Sequence, residues 1–344
     1  MKSGIQYVLS LGIVLMFLSA CSRSEDLEQP ESDLAQLDLS VGSEILFSSA
    51  FSTRAPAYSV NRILVLPFQK LNAALPDDRA DNYVPAWNFA HQWDVSSFPT
   101  QSLTLKLLKS FTYKILVIGY KQTDYDYYNQ NTVANLVELA SQPTPTTLAN
   151  FQLAPKSPTV VPEFYTCLCT ATVNGILSGT AFTPSDASTI SLSGQLRRFV
   201  SGLTVSVTNV PSFVKSMTLT AGNLVKVVQV NDTIATSVQV PGDNQSRVLQ
   251  KLTPTSGNVN FSVFLLPTQN VNKTTFSLVV RYGSTSETYL IKVPDSQVSQ
   301  SNNVILRPNG IVNISGDYSK INLGFQICRT IDLDDNAWDG VTYN

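Results

Sequence analysis

Apolar residues along most of the chain recur at every second position or in short unbroken runs. Residues 62–68 and 113–120 are such runs. Residues 103–108 alternate, with Leu103, Leu105 and Leu107 on one face and Thr104 and Lys106 on the other. A period of two in short segments rich in Val, Ile, Leu, Phe and Tyr, bounded by Pro, Gly, Asn and Asp, predicts strands. An earlier strand is expected at 45–51. A second set follows a stretch at 142–162 that carries Pro143, Pro145, Pro155, Pro158 and Pro162. Its members are expected at 189–192, 198–207, 216–219, 225–230, 259–266, 275–281, 289–293, 303–306, 311–315 and 321–327. Helix is expected only as a short piece around 132–140. Frequent turn signals between short strands indicate an all-β chain built from antiparallel sandwiches.

The pattern changes ahead of the first strand. Lys2 is followed by an almost unbroken apolar run at 7–18, and Leu18-Ser19-Ala20-Cys21 closes it. About a dozen apolar residues suit the core of an export signal and fall short of the ~20 that a spanning helix needs. A signal that ends on cysteine resembles the lipobox of bacterial lipoproteins. That resemblance implies cleavage between Ala20 and Cys21 and lipid on the Cys21 thiol. Each buried methylene of such a lipid contributes about 0.8 kcal/mol, so a multiply acylated terminus stays on its membrane. Residues 22–38 are dominated by Ser, Glu, Asp, Gln and Pro and are expected to be a flexible tether. Glu25-Asp26 resembles the acidic signal that sends lipoproteins of Bacteroidetes to the outer face of the outer membrane.

A length of 344 residues leaves room for two ordinary domains beyond the signal. The expected partition is 1–20 signal, 21–40 tether, 41–175 first sandwich and 176–344 second sandwich. Charged residues are only 14% of the chain, against about 25% in average domains, which argues against coiled coil. Net charge is −2 and no Lys/Arg cluster stands out, so nucleic acid is not an expected partner. Beyond Cys21 the cysteines are Cys167, Cys169 and Cys328, an odd number that closes no disulfide framework. Cys167 and Cys169 share a face if their run is a strand, and are poorly placed to bridge each other. They read as small buried residues, with a bridge to Cys328 as the alternative.

Little in the chain points to catalysis. His91 is the one histidine, no Gly-x-Ser-x-Gly surrounds any serine, and there is no phosphate-binding glycine loop. No His/Cys spacing suits zinc. Asp332-Leu333-Asp334-Asp335-Asn336 begins like a calcium loop, but Ala337 and Tyr343 stand where glycine and glutamate are needed. The chain therefore reads as a non-enzyme with no cofactor and no metal. Trp87, Phe89, His91, Trp93 and Phe98 are expected either to cap a sandwich or to stack on sugars, with burial preferred. The 124–129 run, with Tyr125, Tyr127 and Tyr128, reads as a surface loop suited to binding. Asp232-Thr233-Ile234 resembles a Bacteroidetes O-glycosylation site.

Taken together, the strand at 45–51 running into Ser52-Thr53-Arg54-Ala55, the runs at 63–68 and 113–120, the strand at 196–207 and the region 302–327 resemble the fimbrillin superfamily of Bacteroidetes. Within it they resemble the FimB/Mfa-type minor subunits that anchor fimbriae. The resemblance implies two tandem transthyretin-like (Greek-key) β-sandwich domains on a surface-exposed, lipid-anchored outer-membrane protein whose partners are other fimbrial subunits. It also implies assembly by strand exchange, in which a subunit cut behind an arginine loses its first strand and a neighbour's C-terminal strand fills the groove. Here that arginine would be Arg54. The donor would be 321–327, with Ile321, Leu323, Phe325 and Ile327 on one face. Arg54 as a plain loop residue, and 321–327 as an internal strand, remain the alternatives. A glycan-binding surface lipoprotein and a fimbrial tip adhesin that contacts glycan or host surface are the rival functions.

Overall fold

The computed structural model describes residues 33–43, 60–122, 136–138, 146–155, 159, 161–230, 236–238, 245–268, 274–291, 304, 306–323 and 326–332. The protein is all-β, with short 3-10 turns at Ala80–Asn82, Trp87–Phe89 and Tyr318–Leu323. The earlier strands are β1 (Leu34–Ser43), β2 (Arg62–Lys70), β3 (Tyr83–Pro85), β4 (His91–Asp94), β5 (Leu103–Leu108), β6 (Tyr113–Tyr120), β7 (Leu136–Glu138), β8 (Gln152–Pro155), β9 (Phe164–Leu168), β10 (Thr170–Val173), β11 (Ile176–Gly179) and β12 (Ile190–Arg198). The later ones are β13 (Ser201–Thr208), β14 (Ser216–Gly222), β15 (Val227–Gln229), β16 (Thr236–Val238), β17 (Arg247–Leu252), β18 (Val259–Leu265), β19 (Thr275–Tyr282), β20 (Thr285–Leu290), β21 (Gly310–Asp317) and β22 (Gln326–Asp332).

Ten strands form the largest sheet. β2 pairs with β6 on one side and with β3 and β4, end to end, on the other. β6 continues to β9, and β9 and β10 lie end to end along β12. β1 takes the free side of β12 in parallel, and β5 pairs with β1. β11 folds back on β10 through Asn174-Gly175, whose φ values of 51° and 79° are the left-handed pair that a two-residue hairpin turn requires.

The unbroken apolar runs of β2 and β6 follow from burial on both faces. Ile63, Val65, Ile115 and Val117 join one core with Leu39, Leu105, Leu192 and Leu196. Leu64, Leu66, Phe68, Leu116 and Ile118 join another with Leu148, Phe151, Leu153 and Val228. That second core is covered by the small sheet β16-β15-β8-β7, which draws on residues from both halves of the chain. The sheets β18-β13-β21-β22 and β17-β14-β19-β20 close over a third core, from Leu203 and Phe261 on one side to Leu219, Phe276 and Leu278 on the other. Both supply alternate residues inward, as sandwich sheets do.

Several expectations need correction. Sheet membership changes at Phe199–Val200, with β11 and β12 still in the large sheet. The expected strand 198–207 is therefore two strands in different sheets. Residues 34–40 are not tether but strand β1, because Leu37, Leu39 and Val41 all point into the core. Residues 136–138, expected as helix, are a strand held by pairing with β8, a tertiary contact that overrides local preference. Val304 and Leu306 are buried in the third core without forming the expected strand.

Arg198 ends β12 at this changeover and is buried there. Its Nε donates to Glu163 Oε1 at 2.6 Å, one Nη donates to the Tyr165 hydroxyl at 3.0 Å and the other to Asn309 Oδ1 at 3.4 Å. The Tyr165 hydroxyl itself donates to Glu163 Oε1 at 2.6 Å. Burial, followed by the neighbouring Glu163 charge, raises the Tyr165 phenol far above its ordinary range, so it stays a donor.

Candidate functional site

β1 is held in its sheet by one buried face and by backbone pairing. Its alternating Leu37, Leu39 and Val41 are buried, while Gln36, Asp38 and Ser40 face out. The ladder to β12 runs from Asp38↔Ser191 to Ser43↔Leu196. Thr100 clips the end of β1. Its amide donates to Val41 O at 2.8 Å, its hydroxyl donates to the same oxygen at 3.1 Å, and the Val41 amide is 3.1 Å from that hydroxyl. These holds are hydrogen bonds and apolar contact. Sequence reasoning missed both β1 and Thr100. The signal for β1 was the Leu37-x-Leu39-x-Val41 alternation inside an otherwise polar segment.

The expected site residues separate. Ala20, Cys21, Arg54, the strand at 45–51, Phe325, the tyrosines of 124–129 and Asp232-Thr233-Ile234 lie outside the described residues. Arg54 follows β1 in the sequence. The expected donor 321–327 is not one strand. Ile321 and Leu323 belong to the 3-10 turn Tyr318–Leu323, where Ile321 packs half-buried on the third core. Asp317 starts that turn by accepting from the Ser319 amide at 2.9 Å and hydroxyl at 2.7 Å, and these bonds hold its carboxyl below the usual range. The described strand is Gln326–Asp332, in which Ile327 stands opposite Ile314. Among the described residues β22 is the last strand of its sheet and pairs with β21 alone.

The turn leading into β22 is fastened by tyrosines. The hydroxyls of Tyr318 and Tyr282 are 2.7 Å apart, those of Tyr282 and Tyr289 are 3.2 Å apart, and Tyr289 donates to Glu287. Burial first, then the Tyr289 hydrogen bond, pushes the Tyr282 phenol up to about 12. Tyr318→Phe is expected to lower stability by about 0.5–1.5 kcal/mol, measured by urea unfolding. No change would mean that the 2.7 Å contact contributes nothing net.

The aromatics of 87–98 are spent on packing. Trp87 lies against the second core, with Phe151 at 6.2 Å between ring centroids. Phe89, Trp93 and Phe98 pack on the first core. His91 is exposed beside Trp93. Cys167 and Cys169 are free thiols. Among the described residues no three His, Cys, Asp or Glu side chains gather as a metal site, and no helix is long and apolar enough to cross a membrane.

No family model and no curated protein matches the chain. Solved structures similar to it include the fimbrial anchor protein Mfa2 from Porphyromonas gingivalis, at 12% identity, covering 86% of this chain and 97% of that one, with a TM-score of 0.46. A protein from Bacteroides thetaiotaomicron is similar at 10% identity over 83% of this chain and 93% of its own, with a TM-score of 0.47. The tip fimbrial protein Mfa3 from Porphyromonas gingivalis is similar at 10% identity over 82% and 94%, with a TM-score of 0.37.

Proposed function

We propose that the chain is a surface lipoprotein of the outer membrane that serves as a fimbrial subunit, in the minor, anchoring role. The observation that carries this reading is the order of three features along the sequence. Cys21, the candidate lipid site, comes first. β1, noncovalently seated beside β12, comes next, and Arg54 follows. Lipid and strand are therefore on the same side of Arg54. An intact chain keeps its body tied to the membrane through a strand that is part of its sheet. A cut behind Arg54 would release the lipid and vacate the seat together, making a shaft or tip subunit. In this reading the chain has two sandwiches that meet near Phe199–Val200, and exchange with neighbouring fimbrillins uses β22. The packing of Trp87, Phe89, Trp93 and Phe98 into cores disfavours the glycan-binding alternative built on them.

The test is the N-terminus and lipid state of the protein recovered from fimbriae of its own cells, read by intact mass and terminal peptides. The anchoring role predicts an acylated Cys21 and an unbroken Arg54-Ala55 bond. A terminus at Ala55 would replace the anchor by a shaft or tip subunit, and a lipidated protein absent from every fimbria would overturn the fimbrial reading.

A further inference from the structure

β9 and β10 share one continuous register along β12. Arg197 stands opposite Thr166 and Ser193 opposite Thr170, which sets Cys169 across from Gly194. Two residues apart on extended chain, Cys167 and Cys169 point to the same face, the one shared with Tyr165, Ala171, Leu192 and Leu196. A Cβ at Gly194 would lie 2.7 Å from the Cys167 sulfur and 3.0 Å from the Cys169 sulfur. Both sulfurs thus lean into the space that any other residue at 194 would occupy. Cys169 is buried and Cys167 is half-buried, so the pair has one open side. Hydrogen bonding to Cys167, and then burial, holds the Cys169 thiol well above its ordinary value.

The arrangement does not suit a disulfide. Successive same-face residues on a strand are about 6.6 Å apart, near the far limit for a bridge, and their Cβ atoms point side by side rather than toward each other. Zinc does not suit it either, because zinc needs four ligands and no third donor group joins the two sulfurs among the described residues. Two soft sulfurs between apolar walls match an ion content with two thiolates.

We propose that Cys167 and Cys169 form a two-sulfur site over Gly194 for one soft monovalent metal ion of the Cu⁺ or Ag⁺ kind. On binding, each S–H gives its proton to solvent as its sulfur–metal bond forms, and the metal keeps its oxidation state. The glycine provides the seat, the strand spacing provides the bite, and the half-buried Cys167 provides the entrance.

The experiment uses the full chain carrying Cys21→Ser and Cys328→Ser, which leaves these two of its four cysteines. Ag⁺, which undergoes no redox change under these conditions, is titrated and counted by native mass spectrometry. One ion per chain is expected. Stoichiometric binding should disappear when Cys167→Ser or Cys169→Ser is added, and weaken about 10–100-fold with Gly194→Ala. Circular dichroism before metal addition checks that each variant is folded. Should a serine variant fail to fold, Ag⁺ protection of both thiols from alkylation in the parent chain gives the same answer by peptide mass. Equal uptake by a folded serine variant, no uptake by the parent, or recovery of 167 and 169 as a disulfide would each overturn the site.

Discussion

Arg198→Ala is expected to lower the stability of the protein by about 3–5 kcal/mol, because it leaves the Glu163 carboxylate, whose side chain is only 17% exposed, without this cation. The guanidinium sits between three acceptors that come from two parts of the chain. Glu163 and Tyr165 belong to the large sheet and its approach, whereas Asn309 lies in the turn just before β21. The same turn is tied to the changeover by backbone. The Asn309 amide donates to Val200 O at 3.0 Å, and Ser201 Oγ donates to Arg307 O. The pair's own electrostatic gain is small once desolvation is counted, so most of the loss measures a carboxylate that has lost its guanidinium and keeps the Tyr165 hydroxyl. That distinction gives a control. Arg198→Met combined with Glu163→Leu removes both charges and should recover most of the stability. Urea unfolding followed by tryptophan fluorescence and circular dichroism reads both variants. A single variant costing under about 1 kcal/mol would mean that water reaches Glu163 and screens it as at a surface.

Leu39→Ala is expected to cost about 2–5 kcal/mol, the range for a buried leucine truncated in a packed core. Leu39 is fully buried in the middle of β1 among Val41, Leu105 and Leu192. Its neighbour Asp38 faces outward, and Asp38→Ala should stay within about 0.5 kcal/mol of the parent. The contrast reports whether β1 is held as the register implies. Equal effects at 38 and 39 would mean that the strand does not occupy its seat in solution. The same measurement bears on processing: a protein cut behind Arg54 gives up Leu37, Leu39 and Val41 together. It should then unfold at markedly lower denaturant unless another strand takes their place.

How far the sequence spoke depended on how each strand is covered. Residues 103–108 alternate and 113–120 form a solid apolar run, and the strands found there match to the residue because burial on one face or two writes those patterns directly. β9 to β11 were not expected. β11 is exposed, with Ile176 and Leu177 both in solvent, so no face selects a pattern. The Asn174-Gly175 pair was the available signal for that hairpin. The C-terminal element went wrong for a different reason. Ile321, Leu323, Phe325 and Ile327 have perfect period two, yet Asp317 bonds Ser319 and turns the chain before the strand begins. Local capping defeated periodicity there. Arg54 and Cys21 rest on short sequence resemblances, which no burial pattern can support.

The parallel pairing of β1 with β12 has a consequence for the order of folding. A strand that follows its partner through a tight turn can zip up at once, but β1 finds its β12 neighbour only after nearly the whole earlier half of the chain exists. Closing so large a loop is slow, and before the ladder to β12 forms β1 has the pairing with β5 alone among the described strands. However the chain is delivered, β2, β6 and β9 can assemble before β12 arrives, whereas β1 has only its pairing with β5 until then. The protein is therefore expected to pass through a stage in which β2, β6 and β9 are paired and the seat beside β12 is not yet filled. Whatever reaches that vacancy before β1 does, whether another chain or a chaperone, decides the product by timing rather than by affinity.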